Sequence, residues 1–246
     1  MTDASLEPPR EAFDGRRRLA AEALGAAWLL ATIVGSGIMA ARLSPGNAGV
    51  ALLANALATG GSLFVLITIL GPLSGAHFNP VVSLAFAIRR ELSWRMAGAY
   101  VAAQLIGALA GVLAAHAMFA EAIWQLSTKS RDGPAQAFSE LVATFGLIAT
   151  ILGALRFRPA ATPAAVSLYI VAAYWFTAST SFANPAVTFA RALSNTFAGI
   201  APASAPLFIA AQVAGAVLAT VVFGWLLGGA RTRPASTHAR SDHQQE

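Results

Sequence analysis

The sequence predicts an all-α membrane protein in which six transmembrane helices and two half-helices form a pair of inverted repeats. Three observations predict this fold: the composition, six long apolar runs, and two Asn-Pro tripeptides in a chain that repeats itself. The mean hydropathy is +0.63, with 57% hydrophobic and 11% charged residues. So little polar surface cannot cover a soluble domain of 246 residues.

Six apolar runs are predicted to cross the membrane, although the fourth and fifth are short for the ~20 residues that a spanning helix needs. The first run is too long for the core of a signal peptide, so we expect it to be retained. Two glycine pairs, Gly107 with Gly111 and Gly224 with Gly228, are expected to let helices approach closely. The runs cover residues 19–41, 50–70, 96–119, 138–155, 163–178 and 207–227.

Two tripeptides, Asn79-Pro80-Val81 and Asn184-Pro185-Ala186, each open an apolar stretch of about half the length that a spanning helix needs. Asn is a preferred residue just before a helix, and Pro suits the first helical position because its missing N–H costs nothing there. Both tripeptides therefore predict helices that begin in mid-membrane. Irregular backbone at that depth survives only where it is buried in protein or lines a watery cavity, so the pair indicates a pore.

The chain contains two similar halves, which we place at residues 19–120 and 137–229. Each half has three spans, an odd number, so the second enters the membrane from the opposite side. The two half-helices are then expected to dip in from opposite faces and meet near the midplane. The landmarks of the first half return in the same order in the second: Glu22, Asn79 and Gln104, then Glu140, Asn184 and Gln212.

The basic residues are sorted between the two ends of the predicted spans, which predicts the orientation of the chain. Twelve lie on one side and four on or toward the other, so the positive-inside rule places both termini in the cytoplasm of a cell whose inner membrane the chain crosses. We expect disordered cytoplasmic tails over residues 1–15 and 231–246 and a single channel domain over 16–230. The four basic residues on or toward the other side are Arg42, Lys129, Arg131 and Arg191.

The two tripeptides, together with Ser74-Gly75-Ala76-His77-Phe78-Asn79-Pro80, resemble the aquaporins, or major intrinsic protein family, over roughly Leu19 to Gly229. The resemblance implies a homotetramer with a pore in each subunit, surrounded by membrane lipids. It also implies passive passage of water and small neutral solutes, without a cofactor.

At the pore midplane we expect the residues of both tripeptides, Asn79, Pro80, Val81, Asn184, Pro185 and Ala186. Each half-helix presents about half a positive charge at its N-terminus, so cations are repelled where the two meet. The two Asn carboxamides can donate to a passing oxygen and orient it. Val81 is expected to add bulk at this point.

Two carboxylates, Glu22 and Glu140, are expected to lie within the membrane. One interpretation is a proton relay. The other is structural, since a carboxylate beside a dipping loop can accept hydrogen bonds from backbone N–H groups that no helix satisfies. The family resemblance favours loop support, and it places His77 in the same loop without assigning it any chemistry.

Counting the family's filter positions from each Asn without gaps gives Thr59, Ala172, Ser181 and Val187. The family pattern has an Arg where this chain has Val187. Three of the four positions have therefore lost bulk or charge relative to water-selective members, which predicts a wide filter. Glycerol, urea or neutral metalloid hydroxides are the expected solutes, with water also passing, and the aliphatic residue resembles a bacterial subgroup associated with arsenite.

Arg191 lies one helical turn beyond Val187, on nearly the same face and about 6 Å further out. It is a candidate for an outer barrier to cations. The alternatives are that it caps the last carbonyls of the half-helix or extends to the membrane interface.

Other function classes receive less support from the sequence. The chain has no cysteine, which excludes disulfides and thiol chemistry, and we see no metal-ligand spacing, nucleophile triad or phosphate loop. We therefore expect no enzyme activity, no metal and no nucleic-acid partner. The alternative to a passive channel is a proton-coupled transporter that uses Glu22 and Glu140.

Overall fold

The computed structural model describes residues 13–228, and the predicted tails therefore lie almost wholly outside the described residues. This part of the chain contains helices and no strand, which confirms the all-α fold. The helices are α1 (Gly15–Leu43), α2 (Ala48–Ser74), α3 (Pro80–Ile88), α4 (Trp94–Met118), α5 (Pro134–Phe157), α6 (Thr162–Phe176), α7 (Pro185–Arg191) and α8 (Ala205–Leu227), with a single 3-10 turn at Pro159–Ala161 before α6.

Six of these helices are long and apolar enough to cross a membrane, as predicted, and the two short ones are α3 and α7. Side chains just before the helices satisfy the free N–H groups of the first turn in several of them. Asp14 accepts from the N–H of Arg17, and Ser93 accepts from that of Met96. Residue 14 therefore belongs to the start of α1 rather than to a tail.

Close packing of α1 on α4, and of α5 on α8, forms the frame of each half. A Cβ on Gly107 or Gly111 would overlap the backbone of Ala23 or Ala27, and one on Gly215 would overlap that of Leu141. These glycines are needed because the backbones touch. The predicted close approach at the second glycine pair is wrong for the described residues, since a Cβ on Gly224 would meet none of their atoms within 4 Å.

The half-helices α3 and α7 lie inside this frame, and their N-termini face each other. Asn79 and Asn184, the residues just before these two short helices, are each only 5% exposed. Large apolar side chains such as Trp28, Trp94 and Trp225 point outward instead, as expected for a surface that faces lipid. The two Asn side chains thus lie in the interior, while the outer surface is apolar.

Candidate functional site

The loop that leads into α3 is held by the buried carboxylate of Glu22 on α1. Its Oε1 accepts from the Ser74 hydroxyl (2.6 Å) and the His77 N–H (2.9 Å). Its Oε2 accepts from the Phe78 N–H (2.7 Å) and the Gln104 amide (2.8 Å). Four donors therefore saturate one carboxylate that has no exposed surface.

Glu140 on α5 does the same for the loop that leads into α7. Its Oε1 accepts from the Phe182 N–H (2.9 Å), and its Oε2 accepts from the Ala183 N–H (2.9 Å) and the Gln212 amide (2.6 Å). The Gln212 amide also donates to the Thr188 hydroxyl at 2.8 Å. Glu140 is fully buried as well.

The backbone of the two loops is strained in the same places. Ala76 and Phe78 have φ of 49° and 48°, and the corresponding Ser181 and Ala183 have φ of 49° and 46°. Left-handed conformations are costly for residues with a Cβ, so the surrounding contacts must hold them there. They turn successive N–H groups toward one carboxylate, and this is the physical link between Glu22 or Glu140 and the loop shape.

His77 takes part in the first loop through both its backbone and its ring. The ring Nδ1 lies 3.0 Å from the Ser83 hydroxyl, and the ring packs against Phe86 and Tyr100 with centroid distances of 4.7 and 5.3 Å. The ring also lines the central cavity.

Asn79 and Asn184 tie the two half-helices together. The amide of Asn79 donates to the Ala183 carbonyl at 2.8 Å, and that of Asn184 donates to the Phe78 carbonyl at 2.9 Å. Each Asn also accepts from the first turn of its own helix. Because an amide carries two N–H groups, one donor of each Asn remains for a solute in the cavity.

A cavity of about 110 Å³ runs along the axis, and both Asn79 and Asn184 line it. The other four predicted midplane residues lie in the first turns of the half-helices and do not line this cavity. The expected bulk of Val81 is therefore wrong as a property of the pore, because this side chain is buried and its neighbour Val82 faces the lumen. The four midplane residues that do not line the cavity are Pro80, Val81, Pro185 and Ala186.

Three of the four predicted filter residues, Thr59, Ser181 and Val187, line the same cavity. The fourth prediction is wrong: Ala172 is exposed on the outer face of α6, and Tyr174 lines the cavity instead. Counting without gaps assumed a fixed spacing between α6 and Asn184. A shift of two residues on a helix turns a side chain by about 200°, to the opposite face.

Tyr174 changes the chemistry that the filter can offer. Its hydroxyl lies 3.3 Å from that of Thr59, so side chains of α2 and α6 meet beside the lumen. The Ser181 hydroxyl is buried and has no hydrogen-bond partner within residues 13–228. The cavity wall at the filter therefore carries three hydroxyls, those of Thr59, Tyr174 and Ser181, and the phenol ring of Tyr174 adds bulk on α6 where the small Ala172 was predicted.

Arg191 lines the cavity beyond Val187 and is 2% exposed. Its Nε donates to the carbonyl of Ala198, in the segment after α7 rather than within that helix. Its guanidinium lies 3.4 Å from the ring centre of Phe182. Capping of its own helix and extension to the lipid interface, the two alternatives, are therefore not what this side chain does.

A second guanidinium, which sequence reasoning did not single out, lies on the same ring. Arg131, from the segment between α4 and α5, is 4.9 Å from the Phe182 centre and donates to the carbonyls of Gly199 (3.0 Å) and Ser179 (3.3 Å). Burial lowers the pKa of Arg131 from its ordinary value. Nothing in the local sequence signals this contact, because it joins residues far apart in the chain.

Comparison with known proteins places these features in context. Residues 11–165 match the profile of the family described as Major intrinsic protein. The chain is 57% identical to Aquaglyceroporin AqpS of Rhizobium meliloti (strain 1021), over 89% of this chain and 94% of that protein. It is 34% identical to Aquaporin-5 of Homo sapiens, over 70% of this chain and 68% of that protein.

Among solved structures, the X-ray structure of the aquaglyceroporin from Plasmodium falciparum has a similar fold. It superposes with a TM-score of 0.67 at 20% sequence identity, covering 88% of this chain and 100% of that one. At this identity the likeness supports the six spans and two half-helices, and nothing finer.

Proposed function

We propose, from the premise that this chain belongs to the major intrinsic protein family, that its solutes include glycerol, urea and neutral metalloid hydroxides such as arsenous acid. The coarser function follows from the family itself: the protein is a multi-pass membrane channel for water and small neutral solutes. The name of the relative from Rhizobium meliloti, an aquaglyceroporin, supports a solute larger than water.

The observation that carries the proposal is the composition of the filter. Thr59, Tyr174 and Ser181 offer hydroxyls, and Val187 leaves the remaining wall without charge. A solute with several hydroxyl groups can exchange hydrogen bonds with the polar side and pass its carbon or metalloid centre along the apolar side. A strongly hydrated ion finds too few partners to replace its water.

Cations are excluded by the charges that converge on the axis. The N-termini of α3 and α7 each contribute about half a positive charge. Arg191 adds a full charge further out, where it lines the cavity. We assign the outer part of the cation barrier to this residue because Val187 cannot supply it.

The roles of Glu22, Glu140 and His77 are structural in this proposal. A proton relay needs a carboxylate that a proton can reach, yet both carboxylates are fully buried and absent from the cavity lining, and they accept from four donors (Glu22) and three donors (Glu140). A proton-coupled transporter is therefore not favoured.

We further propose a homotetramer in an inner membrane with both termini cytoplasmic. The orientation rests on the excess of basic residues at one end of the helix bundle. The assembly rests on membership of the family, and crosslinking in native membranes followed by gel analysis would test it.

Stopped-flow light scattering on proteoliposomes tests the solute class directly. We expect glycerol, urea and arsenous acid to enter faster than into protein-free vesicles, at a rate independent of any proton gradient. Ala172→Val is the matched control, because this side chain lies outside the cavity. A channel that passes only water, or flux driven uphill by a proton gradient, would contradict the proposal.

A further inference from the structure

Three consecutive backbone carbonyls after α7 gather three cations at the end of the cavity near Val187, which we call the outer mouth. The Lys129 ammonium donates to the Phe197 carbonyl at 2.8 Å. The guanidinium groups of Arg191 and Arg131 donate to the next two carbonyls, those of Ala198 and Gly199. We call Lys129, Arg131 and Arg191 the cationic cluster.

Two members of the cluster also contact the ring of Phe182. The guanidinium carbons of Arg191 and Arg131 lie 3.4 and 4.9 Å from its ring centre, so they are no further apart than the sum of these distances. Lys129 lies on the neighbouring Phe197 ring at 4.8 Å. Burial and the charges of the two arginines lower the pKa of Lys129 to about 8, so it stays largely protonated at neutral pH.

Within residues 13–228 no carboxylate lies at ion-pair distance from any member of the cluster. The two ion pairs of this part of the chain are Arg42 with Glu121 and Arg89 with Glu91. Asp132 is exposed, and its carboxylate accepts from the hydroxyls of Ser130 and Ser204 instead. Carbonyl dipoles carry only part of a charge, so they hold the cations without neutralising them.

Arg191, the member of the cluster that lines the cavity, also keeps unused donors. Only the Nε of Arg191 has a partner among the described residues, which leaves both of its terminal nitrogens free. This side chain is 2% exposed yet lines the cavity. The buried hydroxyl of Ser181, which lines the same cavity, also lacks a hydrogen-bond partner among residues 13–228. A guanidinium presents paired N–H groups in a geometry that matches two oxygens of an anion.

We propose that the cationic cluster is a binding site for a tetrahedral oxyanion, and that an anion bound there obstructs the outer mouth and slows the flux of neutral solutes. The second part rests on the proposed channel function. The Glu140 carboxylate acts on Arg131 and Arg191 only from beyond ion-pair distance. A tetrahedral oxyanion would supply a negative charge in direct contact, with enough oxygens to meet donors from all three members of the cluster. A halide, with one centre and no fork geometry, is a poorer match.

Inorganic phosphate is the probe for binding. Adding it to the purified full chain at constant ionic strength, with chloride as the replaced ion, should raise the thermal unfolding midpoint. Arg131→Gln and Lys129→Gln should each weaken the apparent affinity, by about tenfold for Arg131, which loses a charge-assisted contact. Arg131→Lys should restore most of it. A merely structural role of Arg131 would shift the midpoint without phosphate and leave the phosphate-dependent shift intact.

Flux tests the second part of the proposal. Phosphate on both sides of wild-type proteoliposomes should lower glycerol entry, and this inhibition should move to higher concentration in Lys129→Gln. The matched control is Arg42→Gln, which removes a cation that is already paired with Glu121. No phosphate-dependent shift in the wild type, or equal responses of the Arg131 and Arg42 variants, would overturn the site. If the wild type does not conduct glycerol, the channel proposal fails, while the unfolding experiment still decides whether phosphate binds.

Discussion

The two half-helix loops make matching hydrogen bonds through their backbone N–H groups, although Glu22 alone also accepts from a serine hydroxyl, that of Ser74. The N–H groups of His77 and Phe78 point to Glu22, and those of Phe182 and Ala183 point to Glu140 in the same order. On the α8 side, as on the α4 side, a Gln amide joins the carboxylate to a hydroxyl of the half-helix. We call each buried carboxylate, Glu22 or Glu140, together with the Gln amide and the two backbone N–H groups that it accepts from, a cradle. The inverted repeats thus share the contacts that hold the half-helix loops in shape.

Beyond the cradles the two halves differ. The first loop carries His77, and its half-helix ends near an exposed ion pair between Arg89 and Glu91. The second loop carries Phe182 at the corresponding position, and Arg191 at the end of its half-helix is buried against that ring. We infer that the shared contacts to Glu22 and Glu140 maintain the fold, and in the proposed function it is the second loop and the segments around it that select among solutes.

The largest loss of folding stability is expected when Glu22 or Glu140 is replaced, and it should be similar in the two halves. In Glu22→Gln and Glu140→Gln, one carboxylate oxygen becomes an NH2 that faces backbone donors. Hydroxyl and amide partners can reorient, but the two backbone N–H groups of each loop cannot. We expect each variant to lose on the order of 3 kcal/mol of folding free energy, measured by thermal unfolding in detergent with flux per folded protein recorded alongside.

Glu121→Gln is the control, because this carboxylate is in a partly exposed pair with Arg42 that contributes about 1 kcal/mol or less. If one cradle variant is as stable as the wild type while the other unfolds, the two halves are not equivalent. If either variant folds normally but gains or loses dependence on a proton gradient, the structural role of that carboxylate is wrong.

The cradles also show why so much of the fold could be predicted. Apolar runs, Asn-Pro helix starts and a repeated order of landmarks are local patterns, and each has a direct physical meaning in a membrane. The expected spans agree with the six long helices to within a few residues at most ends. Glu22 and Glu140 could be singled out from the sequence because an acidic residue within an apolar run is rare and usually has a specific role.

The filter was less predictable because it is assembled from segments that are distant in sequence. Thr59, Ser181 and Val187 were found by spacing, but Ala172 was not the residue of α6 that faces the lumen. An error of two residues on a helix is enough to exchange a pore-lining side chain for an outward-facing one. The charge of Arg131 helped to predict the orientation of the chain, but its contact with the second loop could not be predicted, since this depends on carbonyls of distant segments.

The next largest effect, on solute flux, is expected at residue 187, where this chain has Val in place of the family's Arg. Val187→Arg places a charge and several donors at the filter, beside the hydroxyls of Thr59 and Ser181. We expect glycerol and arsenous acid flux to fall by about tenfold, or roughly 1.4 kcal/mol of barrier, and water flux to fall less. Stopped-flow measurements at matched protein levels would show this. An equal fall for every solute would mean that residue 187 does not select by size.

A smaller effect is expected from Tyr174, whose ring is part of the filter in place of the predicted Ala172. Tyr174→Ala removes the phenol and should raise the entry of glycerol about threefold relative to water, or roughly 0.6 kcal/mol of barrier. Ala172→Val should leave both fluxes unchanged. If the Ala172 variant alters selectivity and the Tyr174 variant does not, the position first obtained by counting is the correct one and α6 is rotated in the working channel.

The smallest effect, on cation leak, is expected from replacing Arg191, because several positive charges contribute to cation exclusion. The N-termini of α3 and α7 each provide about half a charge at the midplane whatever residue occupies position 191. Removing the buried guanidinium in Arg191→Ala lowers the outer part of the barrier, so voltage-clamped membranes should show a measurable rise in sodium or proton leak. Arg191→Lys keeps the charge and should largely preserve exclusion, which separates charge from packing on Phe182. An unchanged leak in the Ala variant would leave exclusion to the two half-helices, and the asymmetry between the halves would then concern solute selection alone.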